Sequence, residues 1–129
     1  MESLNAPAPF DAAISFLASH FNTDTDECLR YFNEISVCVK PGAVLVNADI
    51  AADRTSQTFP ELMETRLGFY VLSGLPEEGR TAFPEMFGRD VAARPPQKAE
   101  ELIKAAHFDQ PVPFFQSLMI RGWFTRKQR

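Results

Sequence analysis

Two periods of apolar residues run along this chain. Residues 12–17 and 43–48 are short, nearly unbroken apolar runs that stop at polar residues, the pattern of strands covered on both faces in a parallel sheet. Between them Cys28, Phe32, Ile35 and Val39 recur at helical spacing, with Leu29 widening the stripe. Asp24 followed by Glu27 offers a reciprocal cap at the start of that helix, and Lys40-Pro41-Gly42 reads as its end and as a reversal of the chain. A strand, a crossover helix and a parallel strand make one βαβ unit, whose ligand-facing edge lies at the carboxyl ends of the strands. Those ends are Ser19-His20 and Asn47 with Asp49.

Beyond Ile50 the period becomes helical. Phe59, Leu62, Met63, Arg66, Leu67, Tyr70 and Val71 predict an amphipathic helix that Pro60 opens, and Gly74-Leu75-Pro76 breaks it. A shorter helix over residues 77–90 carries Phe83, Met86 and Phe87. The segment exceeds an ordinary strand connection, so it reads as a helical cap over the site. Pro96 sits near the first turn of a helix over 97–106, with Ala99, Leu102, Ile103 and Ala106 facing inward. Residues 112–118 and 119–124 read as the last strands, with Trp123 and Phe124 in core or interface. The organisation is a lead-in over 1–9, the βαβ unit over 10–49, the helical cap over 50–94, and a helix plus two strands over 95–129.

Composition narrows the class. At 129 residues the chain is one domain, and 45% hydrophobic with 12% aromatic residues argues against disorder. A net charge of −4 argues against a nucleic-acid surface; the basic end of Arg121, Arg126, Lys127 and Arg129 reads as a solvated terminus. No apolar run is long enough to cross a bilayer, and no basic start precedes an apolar leader, so no membrane association is expected and the compartment is the cytoplasm. Cys28 and Cys38 lie about 15 Å apart on one predicted helix, beyond disulfide reach. With no CxxC pair and 2 histidines, no zinc site is expected. GxSxG, P-loop, HExxH and GxGxxG patterns are absent.

The stretches PFDAAISFLASHF, KPGAVLVNADI and PVPFFQSLMIRGWF carry a resemblance. They resemble the latter half of a class I S-adenosylmethionine-dependent methyltransferase, most closely small bacterial methyltransferases. The likeness covers nearly all of this chain but only the latter half of that family's domain. The family's first strand with its Gly-rich cofactor loop, and the acidic residue closing the next strand, would lie upstream of Met1. The resemblance implies an α/β fold: a partial Rossmann-like methyltransferase sheet of about four strands in the order first, second, fourth, third, the last antiparallel, with flanking helices and the helical cap. It implies methyl transfer from S-adenosylmethionine to a small-molecule acceptor, impaired or inactive in an isolated half domain. The alternative is a non-catalytic α/β interaction module, a homodimer or one half of a split enzyme.

In that family the donor crosses the carboxyl ends of three strands, of which this chain holds one, residues 12–17. Ser15, Phe16 and Ser19 then supply a cofactor wall. His20, at the end of that strand, is the candidate base, since histidine exchanges a proton near neutral pH; the structural alternative is that it caps the Asn22 turn or bonds a buried backbone group. Asp49 can orient a polar acceptor or act as base, and can equally cap the next helix. Asn47 joins it at the strand end. Tyr70, Phe83 and Phe87 are candidate acceptor-binding residues under the cap, with packing the default at helical spacing. His107 reads as a helix-end residue. Finally, the strand bounded by Ala12 and Leu17 would be an unprotected apolar edge, expected to pair with a second copy about a two-fold axis or with a complementing half.

Overall fold

The computed structural model describes residues 9–129. Asp24 caps the first long helix: its Oδ1 accepts the backbone N–H groups of Asp26 and Glu27, at 2.9 and 3.0 Å. That helix, α1 (Thr25–Cys38), buries Cys28, Phe32, Ile35 and Ser36. It joins strand β1 (Phe10–Phe16) to strand β2 (Val39–Ile50), which pair in parallel from Ala12↔Val44 to Phe16↔Ala48. Asp24→Ala is expected to lower stability by about 1 kcal/mol, the usual worth of such a cap, with urea unfolding as the readout.

Lys40-Pro41-Gly42 does not end the helix. Val39 is already extended, at φ −111° and ψ 149°, and the three residues belong to β2. The reason is that Gly42 takes a left-handed φ of 79° and its N–H reaches the Lys127 carbonyl at 2.9 Å. Pro41 has no N–H to place, so the segment bulges and the β1 register jumps between Phe10↔Val39 and Ala12↔Val44. The β1–β2 ladder therefore carries an irregularity, on its β2 side, that the sequence reading did not foresee. Lys127 secures this corner, its Nζ donating to the carbonyls of Ser36 and Val39 at the end of α1. Lys127→Met should remove about 1.5 to 3 kcal/mol, the net worth of hydrogen bonds from a charged donor. A loss well below that in denaturant melts would show that water replaces the ammonium.

After β2 come α2 (Phe59–Leu72), α3 (Glu77–Met86) and α4 (Pro96–Ala105), then β3 (Val112–Ser117) and β4 (Ile120–Arg126). The sheet order is β1-β2-β4-β3, with β4 antiparallel to both neighbours, the order the resemblance implied. Helix α3 ends four residues sooner than its apolar spacing suggested. The Asp90 N–H turns back to the Met86 carbonyl at 2.9 Å, and Gly88 at φ 92° makes the bend.

The two sheet faces differ. Leu45 and Trp123 lie on the face covered by α1 and α4, where Cys28, Phe32, Ile35, Leu102, Ile103 and Phe108 complete the main core. Trp123 is 1% exposed and donates Nε1–H to Glu100 at 2.9 Å. The opposite face presents Ile14, Val46 and Phe124 in one row, and among the described residues it stays largely open. Phe124, next to Trp123, is accordingly 43% exposed. Gly122 lets the Phe114 ring close on this face; a Cβ there would meet the ring at 3.2 Å. A second core joins Ile50, Ala52, Phe87, Val91 and Met119, with Phe59, Leu62, Met63 and Phe83 packed against it. The cap is thereby anchored at the carboxyl end of β2.

Candidate functional site

Strand β1 stops abruptly. Leu17 still donates its N–H to the Ala48 carbonyl at 2.8 Å, but its φ of 51° is left-handed and throws the chain out of the sheet. A single 3₁₀ turn, Ser19–Phe21, follows, with the Asn22 N–H closing on the Ser19 carbonyl at 3.0 Å. Because β1 and β2 are parallel neighbours, this turn falls beside the carboxyl end of β2, at Asp49.

Asp49 is the hub. Its Oδ2 accepts the Ser19 hydroxyl and the His20 backbone N–H, the latter at 3.0 Å. Its Oδ1 accepts the His20 ring at Nδ1 and the Ile50 N–H at 3.0 Å. Ser19, His20 and Asp49 are all buried. A carboxylate can only accept, so the His20 Nδ1 must carry hydrogen and its Nε2 is the nitrogen left to take a proton. The His20 carbonyl in turn accepts the Ala92 N–H at 2.8 Å, and Arg94 Nη2 donates to the Asn22 carbonyl at 2.9 Å. These two bonds tie the turn to the segment between α3 and α4. Neither had a sequence signal, because 72 residues separate each pair.

His20 turns its ring to Asp49 rather than to the Asn22 turn. Asp49 does not cap the next helix, which begins ten residues later behind Thr58.

The expected cofactor wall is divided. Phe16 is 66% exposed on the open face. Ser15 is buried and its hydroxyl is held by Tyr31 Oη at 2.8 Å, while the Ser19 hydroxyl is taken by Asp49. Of the three, Phe16 alone is exposed. Burial raises the Tyr31 phenol above its ordinary pKa, with Asp49 adding to the rise and the Ser15 bond opposing it. The phenol stays neutral and can donate.

The expected acceptor residues separate as well. Asn47 is buried on the helix-covered face beside Trp123, and its Oδ1 has no hydrogen-bond partner among the described residues. Phe87 is buried against Phe59 and Phe83, with Arg66 stacked 4.6 Å over the Phe83 ring. Tyr70 instead lines an open groove of about 530 Å³ between α2 and the β3–β4 turn, with Arg66, Phe69, Leu75 and Leu118. The structure thus joins His20, Asp49 and Ser19, sets Tyr70 in the groove beside Arg66, which also stacks on Phe83, and keeps Asn47 on the helix-covered face. Among the described residues no group of three or more His, Cys, Asp and Glu could hold a metal ion, and no helix is long and apolar enough to cross a membrane.

No known sequence family and no curated protein matches the chain. Solved structures do. Human N-acetylserotonin methyltransferase in complex with SAM matches with a TM-score of 0.64 at 14% identity, over 100% of this chain and 33% of its own. An O-methyltransferase family 2 protein from Planctomyces limnophilus in complex with apigenin matches at 0.62 and 15%, over 97% and 32%. A possible exported protein from Bordetella parapertussis matches at 0.62 and 14%, over 94% and 40%. At these identities the likeness shows a shared methyltransferase-like α/β fold. The chain spans a third to two fifths of the length of the structures it matches.

Proposed function

We propose that this chain is the acceptor-side part of a methyltransferase that moves a methyl group from S-adenosylmethionine to a hydroxyl oxygen of a small molecule. The observation that supports it is Asp49 clamping the His20 ring at the shared carboxyl ends of β1 and β2. The fold likeness to O-methyltransferases supports the reaction class. When bound, the donor supplies an electrophilic methyl group. His20 accepts the acceptor's hydroxyl proton at Nε2, and Asp49 holds the ring in the tautomer that leaves that nitrogen bare. Ser19 helps fix the Asp49 carboxylate. Phe16 offers an apolar wall. The reading is of a cytoplasmic protein of class I type.

A second reading, a non-catalytic interaction module, is favoured by the commitment of the Ser15 and Ser19 hydroxyls to internal partners. Calorimetric titration of the purified chain with S-adenosylmethionine separates the two. Micromolar binding, followed by transfer of a labelled methyl group to one of a panel of phenols, supports the enzyme. No heat at high concentration supports the module.

A further inference from the structure

We infer that the groove between α2 and the β3–β4 turn binds a small aromatic carboxylic acid, its carboxylate on Arg66 and its ring against Phe69, Tyr70 and Leu118. The inference does not depend on the chemistry above, since it concerns binding and uses neither His20 nor Asp49. Every lining residue lies between Arg66 and Leu118, and none belongs to β1. The register sets the groove at the rim where ligands of open α/β sheets gather. Because β4 is antiparallel to both neighbours, β3 runs parallel to β2. Ser117 and Leu118 thus stand at the carboxyl end of β3, on the same rim as Ile50.

The groove offers hydrogen-bond donors and no acid. Arg66 and Tyr70 stand four positions apart on α2, so they share one face of that helix. Arg66 lays its guanidinium 4.6 Å over the Phe83 ring, which orients the planar fork and leaves its N–H edge free. Among the described residues no carboxylate pairs with it, and Glu64, on the same helix, is held by Arg80 at 2.7 Å. Burial lowers the Arg66 pKa from its ordinary value, yet a guanidinium stays charged at neutral pH. A half-buried charge without a counter-charge is costly until a ligand brings one. The Ser73 hydroxyl is taken by the Phe69 carbonyl at 2.8 Å, so the other polar side chains lining the groove are the hydroxyls of Tyr70 and Ser117, which can both donate. A carboxylate meets this set as an acceptor and matches the guanidinium fork with two parallel bonds.

The remaining walls suit a ring. Phe69 and Leu75 line the groove while 59% and 45% exposed, apolar surface that a bound ring would cover. The Tyr70 ring is held from behind by α3: a Cβ at Gly79 would meet its hydroxyl at 2.5 Å. Leu118 forms the facing wall at a left-handed φ of 52°, with Gln116 Nε2 donating to its carbonyl at 3.1 Å. The space of about 530 Å³ lies within the ordinary range of small-molecule sites and is ample for one or two fused rings.

Calorimetric titration with 2-naphthoate and with its neutral isostere 2-naphthamide tests the pairing. The acid should bind at least about tenfold more tightly, as hydrogen bonds from a charged donor allow. Arg66→Gln should bring the acid down to the amide, while Arg80→Gln, which removes the partner of Glu64, should leave both unchanged. Where Arg66→Gln fails to fold by circular dichroism, Arg66→Lys keeps the charge without the fork and should weaken the acid several-fold. In nuclear magnetic resonance spectra the acid should shift the amide signals of Tyr70 and Leu118 and spare that of His20. Equal affinity for acid and amide overturns the inference, as does octanoate binding as tightly as 2-naphthoate, an equal loss in Arg80→Gln, or shifts centred on His20. So does an acid that does not bind at millimolar concentration, even if S-adenosylmethionine binds and methyl transfer proceeds.

Discussion

Asp49→Ala is expected to destabilise the fold by about 3 to 5 kcal/mol, the range for removing one partner of a buried charged network. The Asp49 carboxylate meets the Ser19 hydroxyl, the His20 N–H, the His20 ring and the Ile50 N–H. Alanine leaves the Ser19 and His20 donors buried without an acceptor, and each such group costs about 1 to 3 kcal/mol. Packing adds to the loss, since the Ala92 bond to the His20 carbonyl relies on the same turn. Asp49→Asn should be milder, because the amide oxygen still accepts while its NH₂ faces a donor. Chemical denaturation of both variants gives the comparison. If Asp49→Ala melts like the parent protein, the carboxylate is not what holds the turn.

On the proposed reading, His20→Gln in a protein that carries out the transfer lowers kcat by about 100- to 10,000-fold, the usual worth of a positioned general base. Binding of S-adenosylmethionine should change little, since His20 is read as acting on the acceptor. That split between turnover and donor affinity separates a base from a residue that only shapes the pocket. A variant that loses both in proportion would mean that the turn has collapsed. Full turnover in His20→Gln would remove histidine from the chemistry.

The β1–α1–β2 unit was legible because its apolar runs and its Asp24 cap are local signals, readable within a few residues. The segment Lys40-Pro41-Gly42 was misread for a physical reason. Proline and glycine mark a turn and a strand bulge alike, and the choice rests on Lys127, which pairs with Gly42 from the far end of the chain. The ends of the strands were likewise visible, so His20 and Asp49 could be placed at one rim of the sheet. Their mutual clamp was not visible, because it spans 29 residues and depends on the left-handed turn at Leu17. Under the cap, helical spacing showed that Tyr70, Phe83 and Phe87 lie on apolar faces. It carried no information on which face meets Ile50 and Met119, and so could not separate the buried Phe87 from Tyr70 in its open groove. The open sheet face was hidden for the same reason: an unbroken apolar run looks alike whether one side or both are covered.

The most direct test of the Asp49–His20 pairing as a poised base is nitrogen-15 NMR of the His20 imidazole at neutral pH. The account predicts a proton on Nδ1, bonded to Asp49, and a bare Nε2, with the pattern disturbed in Asp49→Asn. A proton found on Nε2 with Nδ1 bare would contradict it.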